Sequence, residues 1–103
     1  MFLARVIGSV VATKKDAAMT GRKLLMVRPL VVDESAPNHL RPGVNTIVAV
    51  DVLGAGVGEV VLLCQGSSAR QASGMKALPV DAVVIGIVDV VDVLGAKVYP
   101  SKS

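Results

Sequence analysis

Three glycines at alternate positions, Gly54-Ala55-Gly56-Val57-Gly58, run directly into Glu59-Val60-Val61-Leu62-Leu63-Cys64, and no other stretch limits the fold as much. Glycine adopts φ > 0 or lets another chain pass very close, so the first half predicts a tight, crowded turn. The second half is too short and too rich in β-branched residues for a helix, and it predicts a strand with little exposed face. The glycine loop therefore feeds a strand. A phosphate-binding loop needs a helix N-terminus behind it and the spacing G-x-G-x-x-G or G-x-x-x-x-G-K-[ST]. Neither spacing is present, and Glu59 sets a negative charge where the anion would sit. A tight turn between two strands is the expectation, and a nucleotide site is not.

The rest of the chain agrees with a mainly β class. Valine is the commonest residue, beside one Phe, one Tyr and no Trp, and β-branched side chains favour strands. Residues 2–13 alternate between a wholly apolar and a mixed face, with Gly8 marking a bend. Residues 14–21 form a polar connection. A second strand covers 23–28 and is ended or edged by Pro29, which cannot donate a ladder hydrogen bond. Residues 33–43 gather charges and turn formers and predict a tolerant surface loop. Further strands are expected at 46–50, 59–64 and 82–88, the last interrupted by Gly86, with a short terminal one at 97–99. After Gly66, Ser67 caps one short helical turn through Ala69, Arg70, Gln71 and Ala72. Five short strands and one capped turn suit a small closed or nearly closed barrel, although the pattern alone does not separate barrel from sandwich. At 103 residues this is one domain, 1–103. A hydrophobic content of 52% exceeds what a thin barrel hides, so an exposed apolar interface, and hence an oligomer, is expected.

Nothing in the pattern assembles a catalytic, cofactor or metal site. Ser67 and Ser68 lack the G-x-S-x-G elbow, and the single histidine, His39, lies in a Pro-flanked segment. Cys64 is alone and is expected to be a small core residue. His39 with Asp33 and Glu34 is a poor metal set. Asp89 and Asp92 have no base beside them, so turn and capping roles are expected for them. The apolar stretch 82–94 carries two aspartates and is shorter than the ~20 residues of a spanning helix, and residues 1–5 have no basic segment ahead of an apolar one, so no membrane partner is expected. A formal net charge of +3 raises single-stranded nucleic acid as a partner. That reading, or a small-ligand module of the same architecture, is the alternative, but two aromatic rings are too few for a stacking groove.

Asp51, Gly54-Ala55-Gly56-Val57-Gly58-Glu59, Val61-Leu62, Gly66-Ser67-Ser68-Ala69-Arg70, Pro79-Val80-Asp81 and Gly86-Ile87-Val88-Asp89 together resemble, in order and spacing, the EutN/CcmL family of pentameric vertex proteins from bacterial microcompartment shells. The resemblance covers nearly the whole chain. It implies an OB-like five-stranded β-barrel protomer, a cyclic homopentamer, hexagonal shell proteins as partners, and a place in the shell within the bacterial cytoplasm. It implies a structural protein, not an enzyme. On that basis Gly54, Ala55, Gly56, Val57, Gly58 and Glu59 are expected at a subunit contact or near the ring axis. Ser67, Ser68, Ala69, Arg70 and Asp81 are expected as a structural motif.

Overall fold

In the computed structural model, residues 1–12, 21–36, 39–66 and 81–100 are described. They form eight strands: β1 (Phe2–Val10), β2 (Lys23–Val32), β3 (Leu40–Pro42), β4 (Ile47–Asp51), β5 (Val60–Gln65), β6 (Ala82–Ile87), β7 (Val91–Val93) and β8 (Ala96–Tyr99). The order β1-β5-β6-β4-β2 returns to β1 through a β1–β2 ladder, so these five strands close a barrel. Every neighbour is antiparallel except β4 and β6, which run parallel at Val50↔Val83 and Asp51↔Val84. Closure leaves the five strands no long free edge, and it settles barrel over sandwich.

The core follows from strand alternation. Ala4 and Val6 of β1, Leu25 and Val27 of β2, Ala49 of β4, Val61 and Leu63 of β5, and Ala82 and Val84 of β6 form one buried cluster, with Phe2, Ile47 and Ile87 packed against it. Small residues at several of these positions suit the narrow interior of a five-stranded barrel. The bend expected at Gly8 is a register shift between Val6 and Gly8 against β2, which leaves Ile7 as the extra residue. Gly86 is needed for a close approach: a Cβ there would lie 3.4 Å from Leu62 Cδ1.

Two expectations require correction. Pro29 does not end β2, which continues to Val32. The reason is position: the β4 ladder stops at Val27↔Ile47 and the β1 ladder stops at Ala4↔Pro29. The missing N–H therefore falls where β2 changes partners, and the Pro29 carbonyl still accepts from Gly43 N at 2.8 Å. Beyond it, Leu30, Val31 and Val32 pair with Pro42, Arg41 and Leu40 of β3. Residues 33–43 are consequently not loop throughout. The turn proper is short, with Asp33 accepting from Ala36 N and bonding back to His39. Asp92 lies in β7 of a β7–β8 hairpin, and Asp89 sits at the bend before it. The capped helical turn expected over 67–72 falls outside the described residues.

Candidate functional site

The β4–β5 connection is built around Asp51, the last residue of β4, which is only 5% exposed. Its Oδ1 accepts from Leu53 N at 2.9 Å and Gly54 N at 3.2 Å, and its Oδ2 accepts from Ala55 N at 2.8 Å. An aspartate at the first position of a turn caps the N–H groups that follow it. Three donors converge here, and they hold a buried carboxylate that would otherwise be costly. Lys23 Nζ adds a contact of 3.8 Å to Oδ2 and donates to the Ala55 carbonyl at 3.1 Å, from an ammonium about half exposed. Ala55 itself is fully buried in the core cluster, so it nails the loop to the barrel.

The second half of the loop is held in the same manner. Glu59 Oε1 accepts from Gly56 N at 2.6 Å, and Glu59 N donates to the Gly56 carbonyl. Gly58 N donates to the Val6 carbonyl, Val6 N donates to the Glu59 carbonyl, and Arg5 donates to the Gly58 carbonyl at 2.7 Å. The loop thus supplies its own anions, Asp51 and Glu59, to the N–H groups that a phosphate loop would leave free. This is a positive reason why the glycines do not make a nucleotide site.

The glycines themselves also need a correction. Gly54 and Gly58 have φ of +87° and +91°, so conformation demands them, but among the described residues an added Cβ at either would meet nothing within 4 Å. At Gly56 it would meet only Glu59 Oε1, at 3.3 Å. Crowding by the described residues is therefore not their cause. What the loop presents outward is apolar: Val52, Leu53 and Val57 are exposed, Val57 to 71%.

Of the expected site residues, 54–59 are brought together with Asp51, Lys23, Val6 and Arg5. Ser67, Ser68, Ala69 and Arg70 lie outside the described residues. Asp81 stands at the far end of β5, where its carbonyl accepts from Gly66 N at 2.7 Å. His39 is exposed at the β2–β3 turn, and Cys64 is half-buried in β5 and not a core residue. The two aromatic rings of the chain are both engaged: Phe2 packs on the core, and Tyr99 lies 5.7 Å from the Arg5 guanidinium that covers it. Asp51, Lys23 and Arg5 are the residues that sequence reasoning underused. The signal was available, since Asp at the first and Gly at the fourth position, Asp51 to Gly54, marks a turn.

Residues 1–89 match the profile of a family described as ethanolamine utilisation protein EutN/carboxysome. Over 92 residues the chain is 46% identical to the bacterial microcompartment shell vertex protein GrpN of Rhodospirillum rubrum, covering 89% of this chain and 97% of that protein. It is 42% identical over 102 residues to the carboxysome shell vertex protein CcmL of Gloeobacter violaceus, covering 99% and 96%. The solved structure of the latter superposes with a TM-score of 0.82 over 96% of both chains. A structure described as the GrpN pentameric microcompartment shell protein superposes with a TM-score of 0.74 over 89% and 99%.

Proposed function

We infer, on the premise that this chain belongs to the EutN/CcmL family, that it is a vertex protein of a bacterial microcompartment shell and works as a homopentamer. The observation that carries this is the pentameric GrpN relative, which shares both the barrel and nearly half of its aligned sequence. The role is structural, not catalytic, and the protein resides in the shell within the bacterial cytoplasm. Residues 1–103 act as one vertex domain.

A layer of hexagonal tiles closes into a polyhedron only where fivefold units replace sixfold ones, and such units are this protein's contribution to hexagonal shell neighbours. A ring of five uses heterologous contacts, one patch of each protomer against a different patch of the next. Residues 54–59 lie at such a contact or near the axis: the N–H groups of Gly54, Ala55, Gly56, Gly58 and Glu59 are already bonded within the protomer, and Val52, Leu53 and Val57 remain for burial. Nucleic acid is not a partner of this surface.

Native mass spectrometry is expected to give a particle of five times 10.6 kDa. Co-expression with sheet-forming shell proteins is expected to give sealed shells that retain a small fluorescent cargo, and shells lacking this chain are expected to leak. Sealed shells in its absence, with no other pentamer present, would overturn the reading.

A further inference from the structure

The β7–β8 hairpin is joined to the barrel only at its root. No ladder connects it to another strand, and among the described residues its only substantial packing is between its own two strands. A lone two-stranded hairpin is marginal in water. At the root, Val98 is buried and Tyr99 lies beside Arg5. The tip is the opposite. Val93↔Ala96 closes a two-residue turn whose central residues, Leu94 and Gly95, have φ of +51° and +79°.

Such a turn prefers Asn-Gly, because both central residues need positive φ. Leucine there is strained, and Leu94 is also 87% exposed. Among the described residues neither the backbone nor solvent favours it, which makes Leu94 a candidate for a contact outside the protomer.

A receiving surface exists elsewhere on the same molecule. An open groove of about 540 Å³ lies along the second half of β2, with Phe2, Leu30, Val31 and Ile47 supplying apolar walls and Asn45 and Thr46 a polar rim. Arg28 reaches Thr46 Oγ1 at 3.4 Å, and among the described residues its buried Nε has no hydrogen-bond partner. The hairpin segment brings a small opposite charge: Asp89, Asp92 and Lys97 are exposed, and because Lys97 stands opposite Asp92 in the ladder, the charge left over is that of Asp89 at the bend before β7. The apolar tip thus complements the apolar groove, and the residual charge of Asp89 is opposite to that of Arg28 beside its rim.

We propose that the hairpin of each protomer straps onto the next protomer of the ring, with Leu94 seated in the groove between residues 29–31 and 45–47 and Asp89 on the side of Arg28. This rests on the pentameric reading and specifies one of its contacts. The family profile covers residues 1–89 and the hairpin lies beyond it, so the strap reinforces the ring instead of creating it.

The test is a disulfide trap: Leu94→Cys with Val31→Cys in a Cys64→Ser background, oxidised and run under denaturing conditions. A ladder of covalent multimers ending at five is expected, and neither single-cysteine parent should give it. Intact pentamers without the ladder, or an internal crosslink alone, would overturn the strap while leaving the pentamer standing. A wild-type protein that is monomeric by native mass spectrometry would overturn the pentameric reading itself. Leu94→Asn supplies an independent measurement with opposed signs: the turn relaxes, yet the ring should dissociate roughly tenfold more readily on dilution because a buried leucine is lost. Ring stability equal to or above wild type in that variant would overturn the proposal.

Discussion

The β4–β5 loop gives glycine both of its positive-φ positions, Gly54 and Gly58, whereas the β7–β8 tip gives one of its two to Leu94. The first turn is fastened by the Asp51 and Glu59 carboxylates, by Lys23 and by the backbone of Val6. The second is fastened by two short strands and, among the described residues, by nothing at its apex. One turn is determined within the protomer. The other is left for a neighbour to complete, and substitutions should separate the two regions by the size and the kind of loss they cause.

Asp51→Ala should produce the largest effect, since it strands three backbone donors and removes the counter-charge of Lys23. Charged hydrogen bonds lost from a buried site cost about 4 kcal/mol in sum, which lowers Tm by roughly 15 °C or more for a domain of this size. A thermal melt showing a fall of less than about 5 °C would mean that water takes over the carboxylate's role. Next come Gly54→Ala and Gly58→Ala, each expected to cost about 1 to 2 kcal/mol in urea unfolding through left-handed strain alone. Gly56→Ala lacks that strain and displaces only the end of Glu59, so its cost should stay below about 1 kcal/mol. An equal penalty at all three glycines would show that packing, not φ, governs the loop.

The smallest effect belongs to the β2–β3 turn. Hydrogen bonds from the Ser35 hydroxyl and Ser35 N hold the Asp33 carboxyl below its ordinary value of 3.8, with smaller help from Arg41 and Ala36 N. A carboxylate whose pKa is depressed by folding contributes its stability above the unfolded pKa and loses it as pH falls through the folded one. The turn should therefore stay closed at neutral pH and loosen only below the ordinary carboxylate range. NMR titration of Asp33 should show its midpoint rising toward 3.8 in Ser35→Ala. An unchanged midpoint in that variant would remove the serine from the explanation.

The barrel strands were readable because burial imposes alternation, and valine-rich runs at 2–13, 46–50, 59–64 and 82–88 carry it plainly. The strand β3 was not, because Leu40-Arg41-Pro42 is three residues long and draws its pairing from β2, which no local pattern reveals. The continuation of β2 through Pro29 was hidden for a related reason: only the three-dimensional neighbours show that this N–H is not needed. The glycine loop was read correctly as a turn between strands, yet its mechanism depends on Asp51 and Glu59 folding back onto N–H groups up to four residues away. Proximity of that kind is a product of the fold. The strap hairpin was half visible, as a short terminal strand after Gly95, and Leu94 gave no signal in the sequence because its oddity is a dihedral angle.

The parallel pairing of β4 with β6 also governs how the chain is born. β6 joins β4 on one side and β5 on the other, and it is the last of the barrel strands to be synthesised. Until Ala82–Ile87 have left the ribosome, the nascent protein has β4 and β5 with open edges, and open edges template association with other chains. Contacts between strands distant in sequence also slow folding. Completion of this barrel is therefore an event that follows translation of its final strand, and a low concentration of incomplete chains gives each copy time to seal its own seam before it meets another.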